Sequence, residues 1–325
     1  MEARHDSVLV KEVLEVLHIQ PSDTVVDATL GGAGHFKEIL SRLGGDGTIV
    51  GIDADPAAVE RAREAYGNDR RPERPVAHLI NDNFRNLARI LERLNIVPVD
   101  KILFDLGWSG YQIGSPRGFS FRRDEPLLMT YGEGGPSTGL RTSETAADIV
   151  NTFSKEDLAD LIFTYGEELF AHSIAQAIVA ERSRGRILTT GVLVNAILTG
   201  VPQWYRQRKI HPATKTFQAL RIAVNDEIGA LREGLAAALR ALAPGGRLAV
   251  ISFHSVEDRV VKNLLRDAAQ AGLGAVRPKK PIVPSRFEIL ANRRARSAKL
   301  RVFERVVTVP KASMADSLES IPVYA

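Results

Sequence analysis

The stretch Val25-Val-Asp-Ala-Thr-Leu-Gly-Gly-Ala-Gly-His35 decides how this chain is read. Its first half is a short apolar run closed by an aspartate; its second half is rich in glycine and leads into a helix-like period over Phe36 to Leu43. A strand that ends in glycines and turns into a helix brings backbone N–H groups close to a ligand, the nucleotide-binding turn of parallel α/β sheets. Taken alone, the same residues also describe a plain tight turn. Their surroundings favour the sheet. Val8 to Leu17 sets Val10, Val13, Leu14 and Leu17 on one helical face. Strands are expected over Thr24 to Leu30, Thr48 to Asp53, Val76 to Ile80 and Lys101 to Leu106, with a helix over Pro56 to Tyr66 opened by its proline.

The alternation stops at Gly107. Through Gly139 the chain is dense in Gly and Pro, with Trp108, Tyr111, Phe119, Phe121 and Tyr131 interleaved with Arg117, Arg122 and Arg123. A loop of this length is a functional lid or a linker, and the aromatics favour the lid. Helical periods follow over Ser143 to Arg182, with Ser154-Lys-Glu-Asp157 as a capping box, over Thr190 to Leu198, and over one long helix from Thr214 to Leu242. Ala243-Pro-Gly-Gly246 then turns into a strand over Arg247 to Phe253, and a last strand is expected over Leu300 to Val307. The predicted fold class is α/β, a doubly wound Rossmann-like sheet in two sequence-distant pieces, residues 1–108 and 210–310. A lid and helical domain is inserted over 109–209, and 311–325 reads as a flexible tail.

Composition narrows the chemistry. At 325 residues, with 44% apolar and 25% charged side chains, the chain is an ordinary globular protein with room for a large core. The absence of cysteine excludes disulfides, zinc–thiolate sites and a cysteine nucleophile. No signal-peptide pattern opens the sequence and no apolar run approaches the roughly 20 residues of a membrane span, so a cytoplasmic location and no membrane partner are expected. Formal net charge is +4, but Val276 to Arg305 holds ten Lys or Arg against two Glu, a local +8 that leaves −4 for the rest.

Two details define the glycine turn's ligand. Lys37 occupies the place where a dinucleotide fold needs a small residue, and Asp27 just before the glycines suits a cationic amino-acid end better than a pyrophosphate. Asp53, ending the second strand, is placed to accept ribose hydroxyls. Together they favour S-adenosylmethionine over a nicotinamide dinucleotide. Asp105, in Ile102-Leu-Phe-Asp-Leu-Gly-Trp-Ser-Gly-Tyr-Gln112, ends the fourth strand where open α/β sheets bind ligands, or else caps a loop. The aromatic residues after it suit stacking on an extruded base. His211, Thr214, Lys215 and Thr216 gather at a helix start suited to an anion. In Ile251-Ser-Phe-His-Ser-Val-Glu-Asp258 there is neither a Gly-x-Ser-x-Gly elbow nor a His-Glu-x-x-His pair, so His254 reads as a structural hydrogen-bonder and no metal site is expected. The arginines of Asn292 to Arg305 run into the last strand and are expected to lie against the sheet, favouring a polyanionic partner.

These stretches resemble the RsmH (MraW) family, S-adenosylmethionine-dependent methyltransferases of small-subunit ribosomal RNA. The resemblance rests on His5-Asp-Ser-Val-Leu9, Asp27 to His35, Gly51-Ile-Asp-Ala-Asp-Pro56, Asp105-Leu-Gly107, Arg117-Gly-Phe-Ser-Phe121, His211 to Glu227, Ile251 to Asp258 and Ala295-Arg-Ser-Ala-Lys-Leu-Arg301. It implies S-adenosyl-L-methionine as cofactor and methylation of the N4 amine of a cytosine in the decoding centre of 16S rRNA, near the P site of the small ribosomal subunit. It implies cofactor contacts at Ala33, Gly34, His35, Asp53, Phe84, Asp105 and Gln112, and RNA recognition by the insert. Asp105 is the expected catalytic position, at the junction of cofactor and flipped base. The chain departs from the family in the lid, with Trp108-Ser-Gly-Tyr in place of Val-Ser-Ser-Pro, and with Leu128 and Gly132 at two normally acidic positions. An RNA-binding assembly factor that has lost catalysis is the rival reading, and the sequence leaves the oligomeric state open, a homodimer included.

Overall fold

The computed structural model describes residues 7–67, 73–107, 116–131 and 144–306. Among these, seven strands form one sheet: β1 Thr24–Asp27, β2 Thr48–Asp53, β3 Val76–Asn81, β4 Val99–Asp105, β5 Leu242–Ser252, β6 Gly274–Val276 and β7 Lys299–Arg305. Their order is β3-β2-β1-β4-β5-β7-β6. The first five pair in parallel, and β7 runs antiparallel to both β5 and β6. Strand order reverses between β1 and β4, the switch point outside whose carboxyl ends α/β sheets hold ligands.

The apolar runs that announced strands are continuous because both faces are buried. Val26, Ile102, Phe104, Leu248 and Val250 point into one core, against Leu87, Leu91, Leu235 and Leu265. Their neighbours Val25, Leu103, Ala249 and Ile251 point into the other, against Val13, Leu17, Phe36 and Ile39. Successive residues alternate faces, so one strand serves two cores.

The chain divides into two compact units, Met1–Ser109 with Ile228–Ala325, and Gly110–Glu227. The second unit takes in the helix Ala213–Asn225, whereas the sequence reading ended the insert at residue 209. That helix packs on Lys155–Gly166: a Cβ on Gly166 would meet the Lys215 carbonyl oxygen at 2.6 Å, and Gln218 Nε2 donates to the Tyr165 carbonyl at 2.8 Å. Nor is the predicted 214–242 helix continuous. It breaks at Asp226, in the left-handed region at φ 45°, where the N–H caps the helix Ala213–Asn225 and a second helix, Glu227–Ala241, begins. Asp and Asn reach that conformation more readily than other residues with a Cβ. The Ser143 to Arg182 period is three helices, Ala146–Thr152, Lys155–Gly166 and Ala171–Arg182, with Ser154 capping the second. A helix over Leu87–Leu94, absent from the sequence reading, buries Leu87, Ile90 and Leu91.

The described part of the expected lid, 116–131, is fastened within the second unit. Leu127 N–H donates to the Leu188 carbonyl and Thr190 N–H to the Glu125 carbonyl, both at 2.9 Å, and Leu127 and Met129 are buried. Trp108, Tyr111, Gln112 and Gly132 lie outside the described residues, as do the 311–325 tail and His5.

Candidate active site

Four elements of the sheet-bearing unit converge at the carboxyl ends of β1, β2 and β4. After β1 the chain turns through Gly31 at φ 50° and Ala33 at φ 59°, and the helix Gly34–Leu40 begins. Gly34 has no room for a side chain as the turn stands, since a Cβ there would run into Ser7 Oγ and come within 3.1 Å of Ser7 Cβ. Residues of the N-terminal segment thus press on the turn.

Asp27 is buried, and only its Oδ1 is engaged, accepting the Thr29 N–H at 3.2 Å; Oδ2 has no hydrogen-bond partner among the described residues. Burial pushes its carboxyl up to about 7, against the charge of His35 and the Thr29 amide. The His35 ring faces inward, with Nε2 3.4 Å from Asp105 Oδ2. Burial works against the imidazolium, but Asp105 and Asp27 outweigh it and raise His35 above its ordinary range. Asp105 Oδ1 is buried and has no hydrogen-bond partner among the described residues. The result is two carboxyl groups around one imidazole, with an oxygen of each unpartnered among the described residues.

The strand end that carries Asp105 is held from two sides. Its N–H donates to Thr29 Oγ1 at 2.6 Å, and the Leu106 N–H to the Ile251 carbonyl at 3.0 Å. Gly107 must be glycine because a Cβ would come within 2.7 Å of the Phe253 ring. Thr29 was missed by the sequence reading; a hydroxyl residue two places after a strand-end aspartate was the available signal.

At the end of β2, Asp53 accepts the Gly31 N–H through Oδ2 at 2.7 Å and the Asp55 N–H through Oδ1 at 2.8 Å. Burial still lifts its carboxyl to about 6, and each oxygen keeps a second lone pair for a hydroxyl. Phe84, in a 3-10 turn after β3, packs edge-on against Phe104 with centroids 5.5 Å apart.

Most of the other motifs make contacts within the fold. His254 caps the helix Ser255–Gln270, accepting the Glu257 N–H at 3.3 Å while Glu257 Oε2 accepts the Phe253 N–H at 2.9 Å. Lys215 spends its ammonium on the Glu167 carbonyl at 2.6 Å, and His211 stacks on Phe121 with centroids 4.8 Å apart. Of the basic stretch, Lys299 and Arg301 grip Asp258 and Arg305 bonds the Arg240 carbonyl, whereas Arg293, Arg294 and Arg296 are exposed. The expectation that these arginines lie against the sheet holds for the strand residues and fails for the 3-10 helix Arg293–Ser297, whose buried residue is Ala295.

A sheet of this order, with a glycine turn after β1 and acids ending β1, β2 and β4, defines an S-adenosylmethionine-dependent methyltransferase. The chain belongs to the MraW methylase family, whose model matches residues 2–306. It is 46% identical over 322 residues to a protein of Thermomicrobium roseum, covering 94% of this chain and 95% of the relative. Over 306 residues it is 45% identical to a protein of Deinococcus deserti, covering 93% and 94%. Both relatives bear the name ribosomal RNA small subunit methyltransferase H.

S-adenosyl-L-methionine is the methyl donor, and the donor set fits it. Unsatisfied, buried Asp27 Oδ2 and Asp105 Oδ1 call for a cationic or hydrogen-donating group, and Asp53 retains acceptor capacity suited to a ribose. Among the described residues no helix is long and apolar enough to cross a membrane.

Proposed function

We propose that this chain methylates the N4 amine of a cytosine in 16S rRNA, in the decoding centre of the small subunit near the P site, with the helical insert contributing to RNA recognition. Ala33, Gly34, His35, Asp53, Phe84, Asp105 and Gln112 are the proposed cofactor contacts. The names of its curated relatives support the RNA class. The single observation that carries the chemistry is Asp105 at the switch point, with Oδ1 unpartnered among the described residues and Oδ2 beside His35.

The amine is a poor nucleophile because its lone pair is delocalised into the cytosine ring, so catalysis is largely positioning and electrostatics. Bound S-adenosylmethionine supplies an activated methyl on a positively charged sulfur. Asp105 Oδ1 accepts a hydrogen bond from the amine, fixing its direction and stabilising the positive charge it develops until the surplus amine proton is released to solvent. His35 orients the other oxygen. Thr29 and Phe253 keep the strand end in place.

The test is transfer of labelled methyl groups to undermodified small subunits, followed by mapping of the modified nucleotide. Label on a cytosine N4 is the expected result, with transfer by Asp105→Ala reduced about 100-fold or more. Full transfer by Asp105→Ala removes that residue from the chemistry. Intact cofactor affinity with no turnover by the unmutated protein would overturn the enzyme reading in favour of an assembly factor.

A further inference from the structure

The helical insert carries a charge asymmetry that the cofactor site does not use. From Arg182 to Asn225 the sequence holds eight Lys or Arg and no Asp or Glu. Three of the eight pair with acids, Arg184 with Glu181, Arg186 with Asp148 and Arg221 with Glu227, and Arg182 and Lys215, neither of them exposed, donate to main-chain carbonyls. The other three, Arg206, Arg208 and Lys209, are exposed and form no salt bridge among the described residues.

Beside them stands Trp204, 61% exposed. It is held rather than loose. Its ring meets Phe170 and Tyr205 edge-to-face, with centroids 5.9 and 5.6 Å away and planes at 68° and 85°. Tyr205 is buried and donates its hydroxyl hydrogen to Glu168 Oε2 at 2.7 Å, and Glu168, fully buried, also accepts the Phe170 N–H at 3.0 Å. The base of the tryptophan is therefore fixed by a buried network. Arg206 is aimed by its bonds to the Val201 carbonyl at 3.3 and 3.2 Å, and the Arg208 guanidinium lies 5.1 Å over the Tyr205 ring.

A rigid, exposed indole next to exposed cations that no acid neutralises is how proteins hold single-stranded nucleic acid: the ring stacks on a base and the cations track the phosphates. An apolar protein partner would not require the acid-free stretch around it. We propose that Trp204 is a stacking platform for an unpaired base of RNA, with Arg206, Arg208 and Lys209 binding the flanking phosphates. The identity of that strand as the substrate rests on the methyltransferase reading above.

The chain has two tryptophans, so in a Trp108→Phe background the emission of the full-length protein reports Trp204 alone. Titration with a single-stranded oligoribonucleotide should quench it, and an RNA duplex or heparin of equal charge should do so far less. Trp204→Ala should weaken single-strand binding about 10-fold and Trp204→Phe much less, with melting curve and S-adenosylmethionine affinity unchanged. Equal quenching by heparin, or unchanged RNA affinity in Trp204→Ala, overturns the platform. So does an effect of Trp204→Ala seen with whole small subunits but not with RNA, which would assign the patch to a protein face. Methyl transfer by the unmutated protein tests the parent reading separately: transfer with equal kcat/KM in Trp204→Ala sinks the platform and leaves the enzyme standing.

Discussion

Asp105 and Asp258 stand at the carboxyl edge of neighbouring strands, one closing β4 and the other in the first turn of the helix after β5, yet their surroundings are opposite. Asp258 is fully engaged. Arg301 grips both its oxygens, at 2.7 and 3.2 Å, and Lys299 adds a third bond at 2.9 Å. Burial opposes its charge, but Arg301 and Lys299 outweigh burial and hold the carboxyl below the usual range. Asp105 has a histidine at 3.4 Å from one oxygen and, among the described residues, no hydrogen-bond partner on the other. A carboxylate whose partners come from its own chain supports the fold; one left with spare acceptor capacity in a buried place is available to a ligand.

The largest expected effect separates the two in stability. Asp258→Ala leaves buried Arg301 without its carboxylate and also releases half-exposed Lys299, and should destabilise the protein by about 3 kcal/mol in urea unfolding. Asp105→Ala should change stability by about 1 kcal/mol or less while abolishing most methyl transfer. If both variants unfold alike, the division between structural and functional acids is wrong.

Asp27, Asp53 and His35 should differ from Asp258 in the sign of their pH signatures. Asp27, raised from 3.8 to about 7, and Asp53, raised to about 6, hold protons in the folded chain that the unfolded chain has released. The folded state binds more protons through that window, so stability falls as pH rises from about 4 to 7. His35, also raised, acts in the same direction: its contribution is present below 6.5 and lost as pH climbs through its folded value. Asp258 does the reverse, its contribution being present above 3.8 and lost as pH falls through its depressed value. Asp27→Asn should therefore flatten the neutral-side slope, and stabilise the ligand-free protein at pH 8 by about 1 kcal/mol, while weakening cofactor binding. Thermal melts across pH with and without S-adenosylmethionine measure both. A slope unchanged by Asp27→Asn would remove that group from the account.

The basic stretch splits the same way. Neutralising exposed Arg293, Arg294 and Arg296 together should lower RNA affinity and reduce the dependence of log affinity on log salt by about 2–3, with cofactor affinity unchanged. An unaltered salt slope would leave these arginines as solvated surface. The smallest effect expected is at His254: its alanine variant loses a helix cap, about 1 kcal/mol, with methyl transfer at the unmutated rate per folded molecule. Loss of turnover without loss of stability would return His254 to the chemistry.

Much of the candidate site was legible in sequence because its residues are local to strand ends. Asp27, Asp53 and Asp105 each close an apolar run, and the positions of such runs follow from side-chain patterning alone. What was not legible depends on contacts between distant segments. Gly34 reads as a place for ligand approach, but its missing Cβ makes room for Ser7. The break at Asp226 inside a continuous helical period is set by a left-handed residue, which periodicity does not register.

Thus the sequence by itself determined the alternation of strands and helices, the turn after β1 and the acids at the strand ends, since each is written in neighbouring residues. Tertiary structure alone decided which acids are paired within the chain. Lys299 and Arg301, some forty residues on, arrive beside Asp258 and neutralise its charge, and among the described residues no cation of Lys or Arg does the same for Asp105. Electrostatic availability is a property of three-dimensional neighbours, because the desolvation and the partner charges that set it are not contributed by adjacent residues.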